Sequence, residues 1–99
     1  MAEQATLNEP LSLHVELEEE RETGRWIADV TNLPGVLAYG ATAFEAIKNA
    51  KVLAIAVVGE RLENGEDPLT GQELGDARLL DEAAASFAGI EFHHATVAS

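Results

Sequence analysis

Between Leu11 and Glu18 the chain alternates strictly. Leu11, Leu13, Val15 and Leu17 fall on one side, and Ser12, His14, Glu16 and Glu18 on the other. A period of two means a β-strand with one face buried and one face in water. Such a strand needs strand neighbours and an apolar cover on one side only, which restricts the chain to a sheet covered on one face.

The neighbours follow directly. Glu18 to Gly24 is polar and ends in glycine, the composition of a hairpin turn. Arg25 to Thr31 alternates again, with Trp26, Ala28 and Val30 on one face and Ile27 and Asp29 on the other. Asn32-Leu33-Pro34-Gly35 is a turn, because proline presets φ at the second turn position and glycine supplies positive φ at the third. Val36 to Tyr39 forms a short third strand closed by Gly40.

Thr42-Ala43-Phe44-Glu45 is a capping box, in which Thr42 accepts from the Glu45 amide and the Glu45 carboxylate reaches back to the Thr42 amide. A helix is expected from Ala43 to about Leu62. Phe44, Ile47, Lys51, Ala54, Val58 and Leu62 fall near one stripe, and Ala43, Ala46, Ala50, Leu53 and Val57 on an adjacent one. From Val52 to Val58 the helix is apolar almost all round, more than one sheet face can cover. Either the following segment of the chain or a second subunit covers the rest. For the second case the expected self-association residues are Leu53, Ile55, Val57 and Val58.

Beyond the helix, Asn64 to Gly75 reads as a loop, and Asp76 to Ala88 as a short helix with Leu79, Leu80, Ala83 and Phe87 on one side. Ile90 to Val97 alternates as a last strand. Residues 1–10 read as a flexible polar tail and 11–99 as a single domain. The expected fold class is α+β: a mainly antiparallel sheet of three or four strands in the order β-β-β-α-(α)-β, with one main helix packed on it.

Composition excludes several function classes. There is no cysteine, which removes disulfides, thiol nucleophiles and cysteine metal sites. The N-terminal residues have neither a basic nor an apolar stretch of the signal-peptide kind. The longest apolar run, Val52 to Val58, is far below the roughly 20 residues of a membrane-spanning helix. A cytoplasmic protein is expected. Eighteen acidic residues against six basic ones give a net charge of −12. Such a chain is repelled by nucleic-acid phosphates and anionic lipid, and it attracts basic proteins. No direct nucleic-acid binding and no membrane binding are expected.

The segment holding Trp26, Leu33-Pro34-Gly35, Gly40, Thr42, Glu45-Ala46 and Asn49-Ala50 resembles the N-terminal domain of HicB-type antitoxins, over about residues 11–65. The resemblance implies a reduced RNase-H-like fold, a small basic RNA-cleaving HicA-type toxin as partner, and self-association into dimers or larger assemblies. Many members of that family also carry a C-terminal DNA-binding module. Here residues 63–99 hold one basic residue, Arg78, and eight acidic ones, a net of 1 − 8 = −7, which suits no recognition helix.

No catalytic, cofactor or metal site is expected. RNase H chemistry needs several carboxylates converging on two metal ions, and the candidate strand carboxylates, Glu16 and Asp29, read as ordinary solvent-facing residues. His93 and His94 are neighbours, so in a strand they point to opposite faces, although His14 can meet one of them across the sheet. The leading expectation is a non-enzymatic antitoxin-like binding protein that masks a basic toxin with an acidic surface including Glu18, Glu19, Glu20, Glu22 and Asp29. A homo-oligomeric scaffold or small-ligand-binding domain without a toxin is one alternative, and a residual metal-dependent nuclease is another.

Overall fold

The computed structural model describes residues 10–73 and 89–97. The tail before Pro10 and the short helix expected over Asp76 to Ala88 lie outside the described residues. Among the described residues, four strands and one helix follow in the order β1 (Leu11–Glu19), β2 (Trp26–Val30), β3 (Leu37–Gly40), α1 (Ala43–Glu63) and β4 (Ile90–Thr96). They make an α+β fold, a four-stranded sheet in the order β3-β2-β1-β4 with α1 packed on one face.

The sheet is mixed. The β1–β2 and β2–β3 pairs are antiparallel, as tight turns require, whereas β4 runs parallel to β1. This pairing refines the expectation of a mainly antiparallel sheet. α1 carries the chain from the end of β3 back to the opposite end of the sheet. The next strand therefore enters in the same direction as β3 and β1.

Alternation in β1 appears as expected. Leu13, Val15 and Leu17 are buried beneath the helix, while His14, Glu16 and Glu18 are exposed. Ala28 and Val30 of β2 join them in the core. The turn before β3 has the expected construction: Val36 donates its N–H to the Leu33 carbonyl at 3.0 Å, with Pro34 and Gly35 between them and Gly35 at φ +89°. β3 itself starts one residue later than expected, because Val36 closes this turn and is buried.

Asn32 completes the end of the sheet. The β1–β2 ladder stops at Val15↔Val30. Beyond it the Asn32 Oδ1 accepts the His14 N–H at 2.9 Å, and Asn32 Nδ2 donates to the Ser12 carbonyl at 2.8 Å. One side chain thus replaces a missing strand residue. Asn32→Ala leaves both backbone groups without these partners, and stability should fall by about 1–3 kcal/mol. Urea melts measure this as a lower midpoint at constant slope. An unchanged midpoint would show that water replaces the amide without loss.

α1 begins as expected, with Thr42 Oγ1 accepting the Glu45 N–H at 3.1 Å. The return half of the cap lands one residue earlier, since Glu45 Oε1 accepts from the Ala41 N–H at 2.7 Å rather than from Thr42. The buried face of the helix is Ala46, Ala50, Ala54 and Val58, spaced every four residues. Phe44, assigned to the apolar stripe from the sequence, is instead 75% exposed. α1 lies so close to β3 and β2 that only the smallest side chains fit at the contact, and larger ones such as Ile47 and Val57 pack at the flanks.

Candidate functional site

The helix covers one face of the sheet. The other face carries no covering element among the described residues, and the strand registers fix what it displays. β1 contributes Ser12, His14, Glu16 and Glu18, and β2 contributes Ile27 and Asp29. β3 adds Leu37 and Tyr39, and β4 adds Glu91, His93 and Ala95. Leu37 and Tyr39 are both about two-fifths exposed.

Carboxylates dominate the centre. Glu16 and Asp29 are directly paired across β1 and β2, and Glu18 follows Glu16 on the same face. Neither Glu16 nor Asp29 forms an ion pair among the described residues. Like charges directly opposite on adjacent strands repel each other, so this pair destabilises the sheet by several tenths of a kcal/mol. A cation placed over the face relieves that repulsion.

The five acidic residues expected at a partner surface do not stay together. Glu18 and Asp29 share the open face. Glu19 is exposed at the end of β1, and alternation turns it toward the helix side. Glu22 is exposed in the hairpin turn. Glu20 is bound within its own hairpin: its Oε1 accepts from Thr23 Oγ1 at 2.6 Å and from Arg25 Nη2 at 2.9 Å. The Thr23 hydroxyl and the Arg25 guanidinium hold its carboxyl below the usual range. Much of the charge of Glu20 is therefore answered locally.

Glu16 and Glu91 also belong to the face. The sequence marks Glu16 only as a candidate carboxylate for nuclease chemistry, and Glu91 reaches the face through the parallel β1–β4 register, a non-local pairing. At the β3 side the Arg25 guanidinium sits 4.5 Å above the centre of the Tyr39 ring. The face thus grades from an aromatic and apolar margin at Tyr39, Leu37 and Ile27 to an anionic centre at Glu16, Glu18 and Asp29.

A second exposed apolar region lies on α1. Of the four residues expected to mediate self-association, Val58 is buried in the core and Val57 packs against it. Leu53 and Ile55 are open, at 39% and 53% exposure, together with Val52 at 63%. Ile55, Val58, Gly59 and Leu62 also line a groove of about 390 Å³, with Ile90 and Phe92 on its β4 side.

Among the described residues, no three histidine or carboxylate side chains come together as a cage for a metal ion, and no helix is long and apolar enough to cross a membrane. Comparisons with known protein families, with curated proteins and with solved structures find no match to this chain.

Proposed function

We propose that this chain is a non-enzymatic, antitoxin-like binding protein whose open sheet face covers a small basic RNA-cleaving partner of the HicA type. The observation that carries the reading is the Glu16–Asp29 pair with Glu18 beside it. These carboxylates stand on the two central strands, on a face that no described element covers. An RNA-cleaving protein needs a cationic surface to hold phosphates. The carboxylates compete for that surface, while Tyr39, Leu37 and Ile27 supply apolar contact at the margin. The net charge of −12 draws the partner in and raises the encounter rate. The test is protection: the purified chain, added in equal amount, stops RNA cleavage by the partner, and continued cleavage overturns the reading.

Self-association is a second reading, favoured by the exposed apolar flank of α1. Val52 and Ile55 are each more than half exposed, and an apolar side chain left fully in water forgoes about 1.5–3 kcal/mol of burial. The native chain should sediment above its monomer mass of 10.5 kDa at micromolar concentration. Ile55→Glu should fold, since the side chain is largely exposed within the chain, and sediment as a monomer. A native monomer contradicts this reading, as does an Ile55→Glu variant that keeps the native assembly, because an unpaired carboxylate is costly in a packed apolar interface.

A further inference from the structure

The two outer strands of the described sheet, β3 and β4, are not alike. β3 is four residues long, and the outward carbonyl of Tyr39 accepts from Asn49 Nδ2 at 2.9 Å. β4 is seven residues long, and its register with β1 runs unbroken from Leu11↔Ile90 to Leu17↔Thr96. It holds no proline, lysine or bulge, the devices that blunt an edge strand. Among the described residues, no strand pairs with its outer side.

The hydrogen bonds to β1 identify which backbone groups point outward. The Gly89 carbonyl accepts the Leu11 N–H, and the Val97 N–H donates to the Leu17 carbonyl, both at 2.8 Å. Odd-numbered residues of β4 therefore turn their N–H and C=O groups toward β1. Alternation aims those of Ile90, Phe92, His94 and Thr96 at the outer edge. Such a row is a template for a further strand.

The side chains specify which strand fits. Glu91 and His93 stand on the open face, with Glu91 Oε1 3.2 Å from His93 Nε2. Ile90 and Phe92 stand on the helix side, where they wall the groove shared with Ile55, Val58 and Leu62. In an antiparallel pair of two β4 strands, the outward groups require even-numbered residues to face even-numbered ones. Centred on Phe92, that pairing sets Phe92 against the partner's Phe92 and Ile90 against the partner's His94. Glu91 then meets the partner's His93 in a non-hydrogen-bonded pair, where side chains approach most closely. Carboxylate and imidazole alternate around the two-fold axis, so each histidine has one carboxylate along its own strand and another across the edge. Centring on Glu91 would oppose two carboxylates, and centring on His93 would lose both cross-pairs.

We propose that the outer edge of β4 recognises a second copy of this chain, the two strands pairing antiparallel about Phe92 and joining both sheets into one. The proposal rests on the self-association reading and names the strand and register that carry it. The partner's Phe92 extends the apolar wall beside Ile55, which makes the edge continuous with the exposed flank of α1. Because directly opposed residues share a face, the joined sheet presents both acidic open faces on one side.

Sedimentation of the full chain at micromolar concentration tests the edge, in about 0.15 M salt to screen the net negative charge. The native chain is expected to be a dimer. His94→Pro removes an outward N–H while leaving the β1 ladder intact, a substitution that an edge strand tolerates. Glu91→Lys sets a cation against the partner's His93. Each should weaken dimerisation by about tenfold or more. The exchange Glu91→Lys/His93→Glu restores opposite charges in the same register and should recover dimerisation to within about threefold of native. Circular dichroism confirms that each variant folds. A monomeric native chain overturns this proposal together with the self-association reading. An assembly lost in Ile55→Glu but kept in His94→Pro and Glu91→Lys overturns this proposal alone. So does a charge exchange that recovers nothing.

Discussion

Gly40→Ala is expected to lower the stability of the fold by about 3 kcal/mol, the upper end for forcing an atom into a packed site. β3 ends where it passes beneath the first turn of α1. A Cβ on Gly40 would meet the Ala46 backbone nitrogen and lie 2.8 Å from the Glu45 carbonyl carbon and 2.9 Å from the Ala46 Cα. These are backbone atoms, so no side-chain rotation relieves the clash. The helix cannot slide away either. The Thr42–Glu45 cap ties down its start, and Asn49 Nδ2 donates to the Tyr39 carbonyl at 2.9 Å. The requirement at Gly40 is space and not positive φ.

Gly24 gives the contrast. It has φ +76° and nothing within 4 Å of an added Cβ, so Gly24→Ala should cost only the roughly 1–2 kcal/mol of a left-handed alanine. Urea melts of the two variants should separate in that order. An unshifted Gly40→Ala midpoint would mean that α1 and β3 are not in this contact.

The parts of the fold legible in the sequence are those decided within a few residues. Alternation in β1, the Leu33–Val36 turn and the Thr42 cap are all local signals, and each stands where the residues place it. The direction of β4 was not legible, because a parallel partner is chosen by the path of the chain between the strands. The buried stripe of α1 was misjudged at Phe44 for a related reason. Hydrophobicity ranks phenylalanine above alanine, but the closeness of helix and sheet decides which residues fit, and Gly40 is the sign of that closeness.

The candidate site was legible only in part. A run of glutamates between Glu18 and Glu22 looks like one acidic patch, yet the hairpin splits it and binds Glu20 to Thr23 and Arg25. Glu16 opposite Asp29, and His14 opposite His93, emerge only from strand register.

Glu16→Lys combined with Glu18→Lys is expected to slow partner association by about a hundredfold while leaving the fold intact. Steering by complementary charge changes association rates by roughly 10–10³, and the double substitution moves the open face by four charges. Glu16→Lys also replaces a like-charge pair with a Lys–Asp pair across β1 and β2. That exchange should stabilise the sheet by about 0.2–1 kcal/mol. A variant at least as stable as the native chain that no longer binds separates loss of function from loss of structure.

The most direct test is the rate of RNA cleavage by a small basic RNA-cleaving protein of the HicA type, measured alone, with the native chain in equal amount, and with the Glu16→Lys/Glu18→Lys variant. The native chain should suppress cleavage, less effectively as salt rises from about 0.05 M to about 0.3 M, and the variant should leave cleavage near its uninhibited rate. Cleavage that continues unchanged in the presence of the native chain contradicts the account, as does a double variant that protects RNA as well as the native chain does.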